Sequence, residues 1–457
     1  IEGGSLYHSP LLTAFVGLWH QSHAGSRSSW MKLQVRRVSG EVKELEVEPT
    51  ITAQQLLTLV AEIFDLPPSR RKVILGDVAF ISGTLQEAMQ DVNLDHLDHL
   101  EATVVEVSSI LGVLATSSGK AIIWDVDSNA LLCQLKVNDE SQMVWYATFN
   151  PNGTLVATAS EVGDARIFEV ETGQLLHLLP GHSEAKYHKK TKTTKTQRYS
   201  VQHLSFSPNG RLLATASATF AMIWEVASGT QIQKFDVTAR CLHVAFSPDN
   251  SQLATAAGRG MLWDVTSGEV ITLDTERVQE MHFSSDHRHV LTLSPFAVMV
   301  WSRSGERQFD VTKASDDGFF LKKSIFCKDN LLVIDALGTV DVFNLEGQLM
   351  KTLPGFNTER SATQCAAVFE AAPRVAVVNK QGGVVLWDLE TSQKVDLPRA
   401  WDLNTSNENG ISFSADGTKL AVTDSDCLSV NVFDVTGNLL STFQLNEDDH
   451  IQAMQLM

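Results

Sequence analysis

The chain has 457 residues, of which 43% are hydrophobic and 20% are charged, and its formal net charge at pH 7 is -18. This length predicts two folded units, since single domains usually contain about 100 to 200 residues. The negative charge argues against broad attraction to nucleic acid or to anionic membranes, because the long-range field repels polyanions. The 5 cysteines are widely spaced and form no CxxC pair, so neither a disulfide framework nor a zinc site is indicated. We therefore predict a protein of a reducing compartment, cytoplasmic or nuclear.

Residues 1–30 contain one short apolar run, over 11–19. This run has about half the length that a membrane-spanning helix needs, so no membrane segment is predicted. A signal peptide is the alternative interpretation, but no basic segment precedes the run. We interpret residues 1–30 as a flexible leader.

Residues 31–107 have the pattern of a small domain with one sheet and one helix. The helix begins at a capping box formed by Thr52 and Gln55 and ends before Pro67. Alternation of polar and apolar side chains predicts four strands, which would form a mixed sheet over this helix: 31–35, 42–48, 72–75 and 100–107.

This order of elements resembles the ubiquitin-like β-grasp. Residues 45–49, with the sequence LEVEP, and the pair Pro67-Pro68 are similar to ubiquitin's own sequence. The resemblance implies that Val38, Ile74 and Val105 occupy the family's apolar recognition patch. No diglycine tail follows Val107, so the resemblance implies docking of ubiquitin-binding proteins and not conjugation.

Two histidine pairs are candidate metal ligands. His96 and His99 have a spacing that could bind a metal on a helix, but we interpret them as part of a polar loop. His287 and His289 fall in a turn after a strand, where solvated side chains are expected. No metal and no cofactor is predicted.

From residue 108 to residue 457 the sequence repeats with a period of about 40 residues, which is typical of propeller blades. Each copy predicts four strands: the first ends in Phe, a turn rich in Pro, Asn, Asp and Gly leads to the second, and the third ends in an aromatic anchor. The anchors indicate eight blades: Trp124, Phe168, Trp224, Trp263, Trp301, Phe343, Trp387 and Phe433.

These repeats resemble the WD40 family, whose name dipeptide occurs at Trp124-Asp125, Trp263-Asp264 and Trp387-Asp388. The resemblance implies a mainly β protein with an eight-bladed WD40-type β-propeller, with seven blades as the alternative. The first copy lacks its opening strand. Residues 451–456 have the missing pattern, so we expect the C-terminal strand to complete the first blade and remove exposed sheet edges.

The family's buried hydrogen-bonded tetrad is a further implication of the resemblance. It would involve His182, which follows the Gly-His dipeptide's Gly181, together with Ser217 and Trp224. No Asp stands in the expected turn after Ser217, so blade rigidity is expected to depend mainly on strand pairing and apolar packing.

Residues 186–198 form an insertion between the second and third blades. The insertion carries five lysines and one arginine without an acidic residue, so we expect a mobile, exposed loop. Three interpretations stay open: a solvated loop, an anion-binding arm, or a modification target on its threonines.

Arg240 and Arg277 stand at equal register in adjacent blades, each six positions before a strand-ending Phe. We predict that both lie near the channel mouth and form one positive patch that binds an acidic or phosphorylated peptide. The alternative is that each pairs with a nearby acid such as Glu276. The insertion would add further cations to the same patch: Lys189, Lys190, Lys192, Lys195 and Arg198.

The motifs of catalysis are missing from the sequence: no P-loop, dinucleotide fingerprint, GxSxG or HExxH occurs. The leading hypothesis is therefore a non-catalytic protein-binding scaffold, with one partner on the propeller and another on the β-grasp domain. A ubiquitin-pathway adaptor is the runner-up. An enzyme with a site in the channel is the third class, which converging carboxylates or histidines there would favour.

Overall fold

A computed structural model divides the chain into two units, Ile1–Ser109 and Ile110–Met457. In the first unit it describes the backbone of six strands. In the second unit it describes residues 110–457 except 138–141, 189–192, 238, 313–320, 357–362, 370, 380–382, 398–409 and 425, and all side chains there except those of 184–195, 197 and 364. Among the described residues, no helix is long and apolar enough to span a membrane.

The six strands of the first unit form one sheet with the order β3-β2-β1-β6-β4-β5. They are β1 (Leu12–Val16), β2 (Met31–Arg37), β3 (Val42–Val47), β4 (Arg71–Leu75), β5 (Val78–Phe80) and β6 (Leu100–Glu106). Four of them match the predicted strands within a few residues. Strand β1 was not predicted, since it lies inside the segment interpreted as a leader. It pairs antiparallel with both β2 and β6.

The position of β1 corrects one expectation about this sheet. All five described pairings are antiparallel, whereas a mixed sheet was predicted, because β1 lies between β2 and β6 and keeps these parallel strands from pairing. The predicted helix lies outside the described residues, so the ubiquitin-like domain stays a prediction. Ile74 lies in β4 and Val105 in β6, and Val38 is outside the described residues.

The described residues of the second unit form eight four-stranded antiparallel sheets, which are the blades of a propeller, and one two-stranded sheet. Blades are numbered here in chain order. Blades 1 to 4 contain β7 (Leu111–Thr116), β8 (Lys120–Asp125) and β9 (Ala130–Lys136); β10 (Val144–Phe149), β11 (Leu155–Ser160), β12 (Asp164–Glu169) and β13 (Leu175–Pro180); β16 (His203–Phe206), β17 (Leu212–Ala216), β18 (Phe220–Glu225) and β19 (Gln231–Asp236); β20 (His243–Phe246), β21 (Gln252–Ala257), β22 (Arg259–Asp264) and β23 (Val270–Thr272).

The remaining blades follow the same plan. They contain β24 (Glu280–Phe283), β25 (His289–Leu293), β26 (Ala297–Ser302) and β27 (Arg307–Thr312); β28 (Leu321–Cys327), β29 (Asn330–Asp335), β30 (Val340–Asn344) and β31 (Leu349–Leu353); β32 (Thr363–Phe369), β33 (Arg374–Asn379), β34 (Val384–Asp388) and β35 (Lys394–Leu397); β36 (Ile411–Phe413), β37 (Lys419–Thr423), β38 (Ser429–Asp434) and β39 (Leu439–Gln444). The predicted count of eight is confirmed.

The C-terminal strand β40 (Ile451–Leu456) is the inner strand of blade 1, as predicted. It pairs with β7 along its length, from Ile451 opposite Thr116 to Leu456 opposite Gly112. The Gln455 side chain ties this strand to blade 2, because its Oε1 accepts hydrogen bonds from Thr148 Oγ1 at 2.7 Å and from the Phe149 N–H at 2.9 Å. The chain's last strand therefore closes the ring of blades.

The turns between inner and second strands are held by one repeated side-chain device. In four blades the Oγ of a serine accepts a hydrogen bond from the N–H five residues later, at 2.9 to 3.0 Å, and donates to an Asn or Asp two residues later. These serines are Ser207, Ser247, Ser284 and Ser414. The device satisfies backbone groups that the strand ladder leaves unpaired, which is why the Ser-Pro-Asn-Gly type of turn recurs.

The buried hydrogen-bond network in blade 3 is centred on Thr215, and the prediction of Ser217 is wrong. His182 Nε2 lies 2.7 Å from Thr215 Oγ1, and Trp224 Nε1 donates to the same oxygen at 3.0 Å. Trp224 pairs with Leu213, so the threonine two residues further along lies on the same face of the sheet, beside the indole. His182 Nδ1 has no hydrogen-bond partner among the described residues, consistent with the missing Asp.

The basic insertion is a two-stranded hairpin, which corrects the expectation of a mobile loop. Strand β14 (Ser183–His188) pairs antiparallel with β15 (Thr193–Arg198). Three of the six residues of the second strand are threonines, and β-branched threonine favours an extended backbone despite the repulsion between neighbouring cations. Residues 189–192 lie outside the described part of the chain.

The closure of the ring can be tested with two substitutions in the same strand. Met454 is buried in the core between blades 8 and 1, whereas Gln452 lines the channel. We expect Met454→Asp to lower the free energy of unfolding by about 3 kcal/mol or more, because it buries an unpaired charge. Gln452→Asp should change it by much less. Chemical denaturation measures both, and equal stability of the two variants would contradict closure by β40.

The network in blade 3 provides a second matched pair. Thr158 occupies the position of Thr215 in blade 2, but its Oγ1 is buried without a partner among the described residues. Thr215→Val should destabilise the protein by about 1 to 3 kcal/mol, since it leaves the Trp224 N–H and the His182 nitrogen unpaired. Thr158→Val should be neutral or stabilising, because it removes an unpaired buried hydroxyl. A larger loss from Thr158→Val in thermal unfolding would count against this assignment.

Candidate binding site in the propeller channel

The inner strands of the blades surround a cavity of about 1440 Å³. The shared register of the strands allows equivalent positions to be compared between blades. In each blade the aromatic anchor pairs with a residue of the second strand, and that residue pairs with a residue of the inner strand. We call the residue three positions before this inner-strand residue the channel position. From blade 2 round to blade 1, the channel positions are Tyr146, His203, His243, Glu280, Lys323, Cys365, Gly410 and Ala453.

The channel positions divide the ring into two unlike halves. Five consecutive blades, 2 to 6, carry large polar side chains, and the three remaining blades carry only Cys, Gly or Ala. We call the first half, together with His282, the polar wall. The small residues opposite the polar wall do not fill the channel, which leaves the space of the cavity. One side of the channel is therefore lined with ionisable side chains, and the other side has only small ones.

The side chains of the polar wall follow one another in contact. The ring centroids of Tyr146 and His203 are 4.6 Å apart, those of His203 and His243 are 4.3 Å apart, and those of His243 and His282 are 4.8 Å apart. His282 Nε2 lies 3.1 Å from Glu280 Oε2. The other end of the wall is an ion pair, with Lys323 Nζ 2.8 Å from Glu280 Oε2 and 3.0 Å from Oε1.

Burial controls the charge of these groups. It lowers the pKa of His203 to about 3, although Glu280 opposes the shift, and it lowers the pKa of His243 well below its usual value. Burial and the Glu280 charge raise the pKa of Tyr146 to about 12. Burial alone would raise the pKa of Glu280, but Lys323 and His282 together hold it well below its usual range. At neutral pH His203 and His243 are therefore neutral, and Glu280 is ionised.

The presence of histidines and a carboxylate in the channel is the feature named above as favouring an enzyme. The imidazole rings pack against one another at tilted angles, however, and the Glu280 carboxylate is engaged by Lys323 and His282. In the part of the chain that the structure describes, no three His, Cys, Asp or Glu side chains are arranged to hold a metal ion. What the wall offers chemically is aromatic faces, N–H donors and imidazoles that can take up a proton.

The two arginines predicted at the channel mouth each precede an inner strand. Arg240 and Arg277 are exposed and stand three residues before the inner strands of blades 4 and 5. The Arg240 guanidinium donates to Gln202 Oε1, and Gln202 lines the cavity. Neither arginine forms an ion pair among the described residues, so the alternative pairing with Glu276 is not formed. Their joint patch with the insertion stays a prediction.

Only two of the basic residues predicted to join this patch from the insertion lie among the described residues. Arg198 is exposed at the end of β15, and Lys195 lies in the same strand, although its side chain is not described. Lys189, Lys190 and Lys192 lie outside the described residues.

Three inner strands add bulges at the same mouth. The pairing register shifts between Val144 and Tyr146, between Leu321 and Lys323, and between Ile451 and Ala453. The extra residues, Trp145, Lys322 and Gln452, all line the cavity. Bulges redirect side chains in this way next to functional sites. Exposed apolar residues also lie close to these segments: Met143, Leu242 and Phe296.

Sequence reasoning missed the polar wall, although a signal for it was present. The register that singled out Arg240 and Arg277 can be read three positions later in each repeat, where it finds Tyr146, His203, His243, Glu280 and Lys323. His287 and His289 were both predicted to lie in a solvated turn. His287 is exposed in its turn as predicted, whereas His289 begins β25 and its Nδ1 lies 3.6 Å from Asp286 Oδ2. His96 and His99 lie outside the described residues.

Comparisons with known proteins agree with this architecture. Residues 188–225 match the family model "WD domain, G-beta repeat". The chain is 25% identical over 277 residues to THO complex subunit 3 of Arabidopsis thaliana, which covers 59% of this chain and 72% of that protein. It is 27% identical over 165 residues to Pre-mRNA-processing factor 19 homolog 2 of Arabidopsis thaliana, covering 36% of this chain and 28% of the relative.

Coverage of other relatives is smaller. The chain is 34% identical over 125 residues to Periodic tryptophan protein 2 homolog of Neurospora crassa, but the match covers only 26% of this chain and 12% of that protein. Among solved structures, the C-terminal WD40 domain of Sif2 superimposes with a TM-score of 0.56 at 16% identity, over 69% of this chain and 89% of that one. Residues 110–457 thus contain an eight-bladed β-propeller that is similar to WD40-repeat propellers.

Proposed function

We propose that this protein is a non-catalytic scaffold whose propeller binds an acidic or phosphorylated peptide at the channel mouth. The observation that carries the proposal is the exposure of Arg240 and Arg277 beside the inner strands of adjacent blades, with no acidic partner among the described residues. WD40 propellers typically serve as protein-interaction platforms, which supports a binding role for this face.

The chemistry of the mouth favours an anionic partner. A guanidinium group presents N–H donors in a planar fork that matches a carboxylate or a phosphate. Lys322 adds a third exposed cation at the cavity. These cations stand on a molecule with a net charge of -18, so an anionic peptide would be repelled elsewhere and steered to this face. Exposed Met143, Leu242 and Phe296 would contact apolar side chains of the same peptide.

The names of the relatives support a place in a larger assembly. One is a subunit of a complex, and another is named as a pre-mRNA-processing factor. We propose by analogy that this chain is a subunit of a nuclear multiprotein complex, and that it contacts proteins and not RNA, since its net charge disfavours a polyanion. Docking of ubiquitin-binding proteins to Val38, Ile74 and Val105 remains a proposal from sequence resemblance.

The peptide site can be tested by charge reversal. We expect the double variant Arg240→Glu with Arg277→Glu to weaken binding of a Glu-rich peptide and of its phosphoserine counterpart at least tenfold, because attraction becomes repulsion at the mouth. Fluorescence anisotropy at two salt concentrations measures the loss. Binding to the unmodified protein should also weaken as salt rises.

A matched control has the same charge change at the other end of the inner strands. Arg211 and Arg288 are exposed in the turns that follow the inner strands of blades 3 and 5. Arg211→Glu with Arg288→Glu should leave peptide binding within about twofold of the starting value, since these residues lie a strand length away from the mouth. Equal losses in the two double variants would show that net charge, and not the mouth, governs binding.

A further inference from the structure

The polar wall contains buried nitrogen atoms that have no hydrogen-bond partner among the described residues. One is His243 Nδ1, and the neighbouring bulge residue Trp145 adds a second at its Nε1; both residues line the cavity. An unpaired buried N–H costs free energy comparable to a lost hydrogen bond, so such atoms in a channel indicate a place where something else binds. Trp145 is also a bulge residue, and its indole nitrogen can only donate.

The hydrogen bonding of His203 determines which of its nitrogens can meet a ligand. Its Nδ1 accepts a hydrogen bond from the Val244 N–H at 3.4 Å. In the neutral ring the proton therefore resides on Nε2, which makes that nitrogen a donor. A metal ion would need a lone pair at Nε2, so the bond to Val244 favours an anion over a metal at this ring.

Acceptors on the same wall are already engaged. Glu280 receives hydrogen bonds from His282 and Lys323 through both carboxylate oxygens. Lys322, one residue before Lys323, is exposed and lines the cavity. An anion that enters beside Trp145 and His203 thus meets donors and a cation, whereas the nearest carboxylate is neutralised by its own lysine.

We propose that Trp145, together with His203 and His243 of the polar wall, binds a single anionic group, a carboxylate or a phosphate, and that the imidazoles take up a proton when it binds. The inference rests on the proposed function in one respect, namely that a partner of the propeller brings the anion. Trp145, His203 and His243 line the cavity, whereas Arg240 and Arg277 precede the inner strands of blades 4 and 5.

The direction of the proton linkage follows from the burial of the two imidazoles. Burial holds the pKa of His203 and of His243 below the usual value, and the facing groups are Tyr146, His282 and the Glu280–Lys323 pair. A bound anion stabilises the imidazolium and raises both pKa values. Because the bound state then holds more protons than the free state, affinity increases as pH falls. Without a bound anion the pKa values are not raised, and no proton is taken up.

Sulfate is the probe that separates this linkage from titration of the ligand, because it keeps its charge between pH 5 and 8. With the full chain, we expect sulfate affinity to rise at least threefold from pH 7.5 to 6.0, with proton uptake visible as a buffer-dependent heat in calorimetry. Sodium chloride at matched ionic strength controls for screening. Acetate in a parallel titration separates a site for carboxylates from one that requires a tetrahedral oxyanion.

Two kinds of variant keep the test decisive. His203→Gln and His243→Gln should abolish the pH dependence, whereas His177→Gln, on the outer strand of blade 2, should retain it. Trp145→Phe keeps the aromatic face and removes only the donor, so it should weaken sulfate binding several-fold at every pH. All variants are compared only after their thermal unfolding shows a folded protein.

Several outcomes overturn the inference. These are sulfate binding that does not change with pH, binding that is unchanged in His203→Gln and His243→Gln, or the absence of sulfate binding. Failure of the proposed peptide site can be distinguished from failure of the anion site. If the peptide site is wrong, the variant Arg240→Glu with Arg277→Glu leaves peptide binding intact, and the pH dependence of sulfate binding is unaffected. Conversely, loss of peptide binding in that variant with normal sulfate linkage supports both sites separately.

Discussion

Antiparallel pairing in one shared register is the constraint on which the rest of the propeller depends. In every blade the aromatic anchor of the third strand pairs with the second strand, which in turn pairs with the inner strand. Because side chains alternate between the two faces of a sheet, this register determines which residues reach the neighbouring blade and which reach the channel. A shift of one residue in any blade would turn its buried residues outward. The same strand register therefore determines both the core between the blades and the wall of the channel.

Closure of the ring satisfies the same constraint at its ends. The inner strand of blade 1 comes from the end of the chain, and Trp124 packs against Phe443 of blade 8 with ring centroids 5.5 Å apart. Gly112 permits this arrangement, since a side chain there would collide with the Trp124 ring. Blade 1 is thereby a complete four-stranded sheet like the others, in which the second and third strands have a partner on each side and the inner and outer strands are the edges.

The fold was predictable where the signal is local and repeated. Anchors such as Trp263, the Ser-Pro turns and the pattern of residues 451–456 each recur in the sequence, so the number of blades and the closing strand followed from them. The network of blade 3 was assigned to Ser217 because sequence similarity alone does not say which of two residues on one face lies beside the indole. The hairpin at residues 183–198 was missed because charge repulsion was weighed above the β-preference of threonine.

The binding site was harder to predict because its chemistry arises between blades. His203 and His243 are 40 residues apart, and nothing near either one indicates that their rings lie in contact. Burial, which controls their protonation, also depends on the complete ring. Arg240 and Arg277 could be singled out from register because charge at a strand entrance is visible in one repeat at a time, whereas a row of neutral rings is visible only when all repeats are aligned.

The unequal halves of the channel have a consequence for orientation. Eight similar blades would allow a ligand to enter in eight equivalent rotations, each with the same energy. Ionisable residues in blades 2 to 6 and small ones in blades 7, 8 and 1 remove that degeneracy, so a chain segment inserted along the axis would have one preferred rotation and one preferred side facing the imidazoles. A protein built from repeats can in this way define a single direction for its partner.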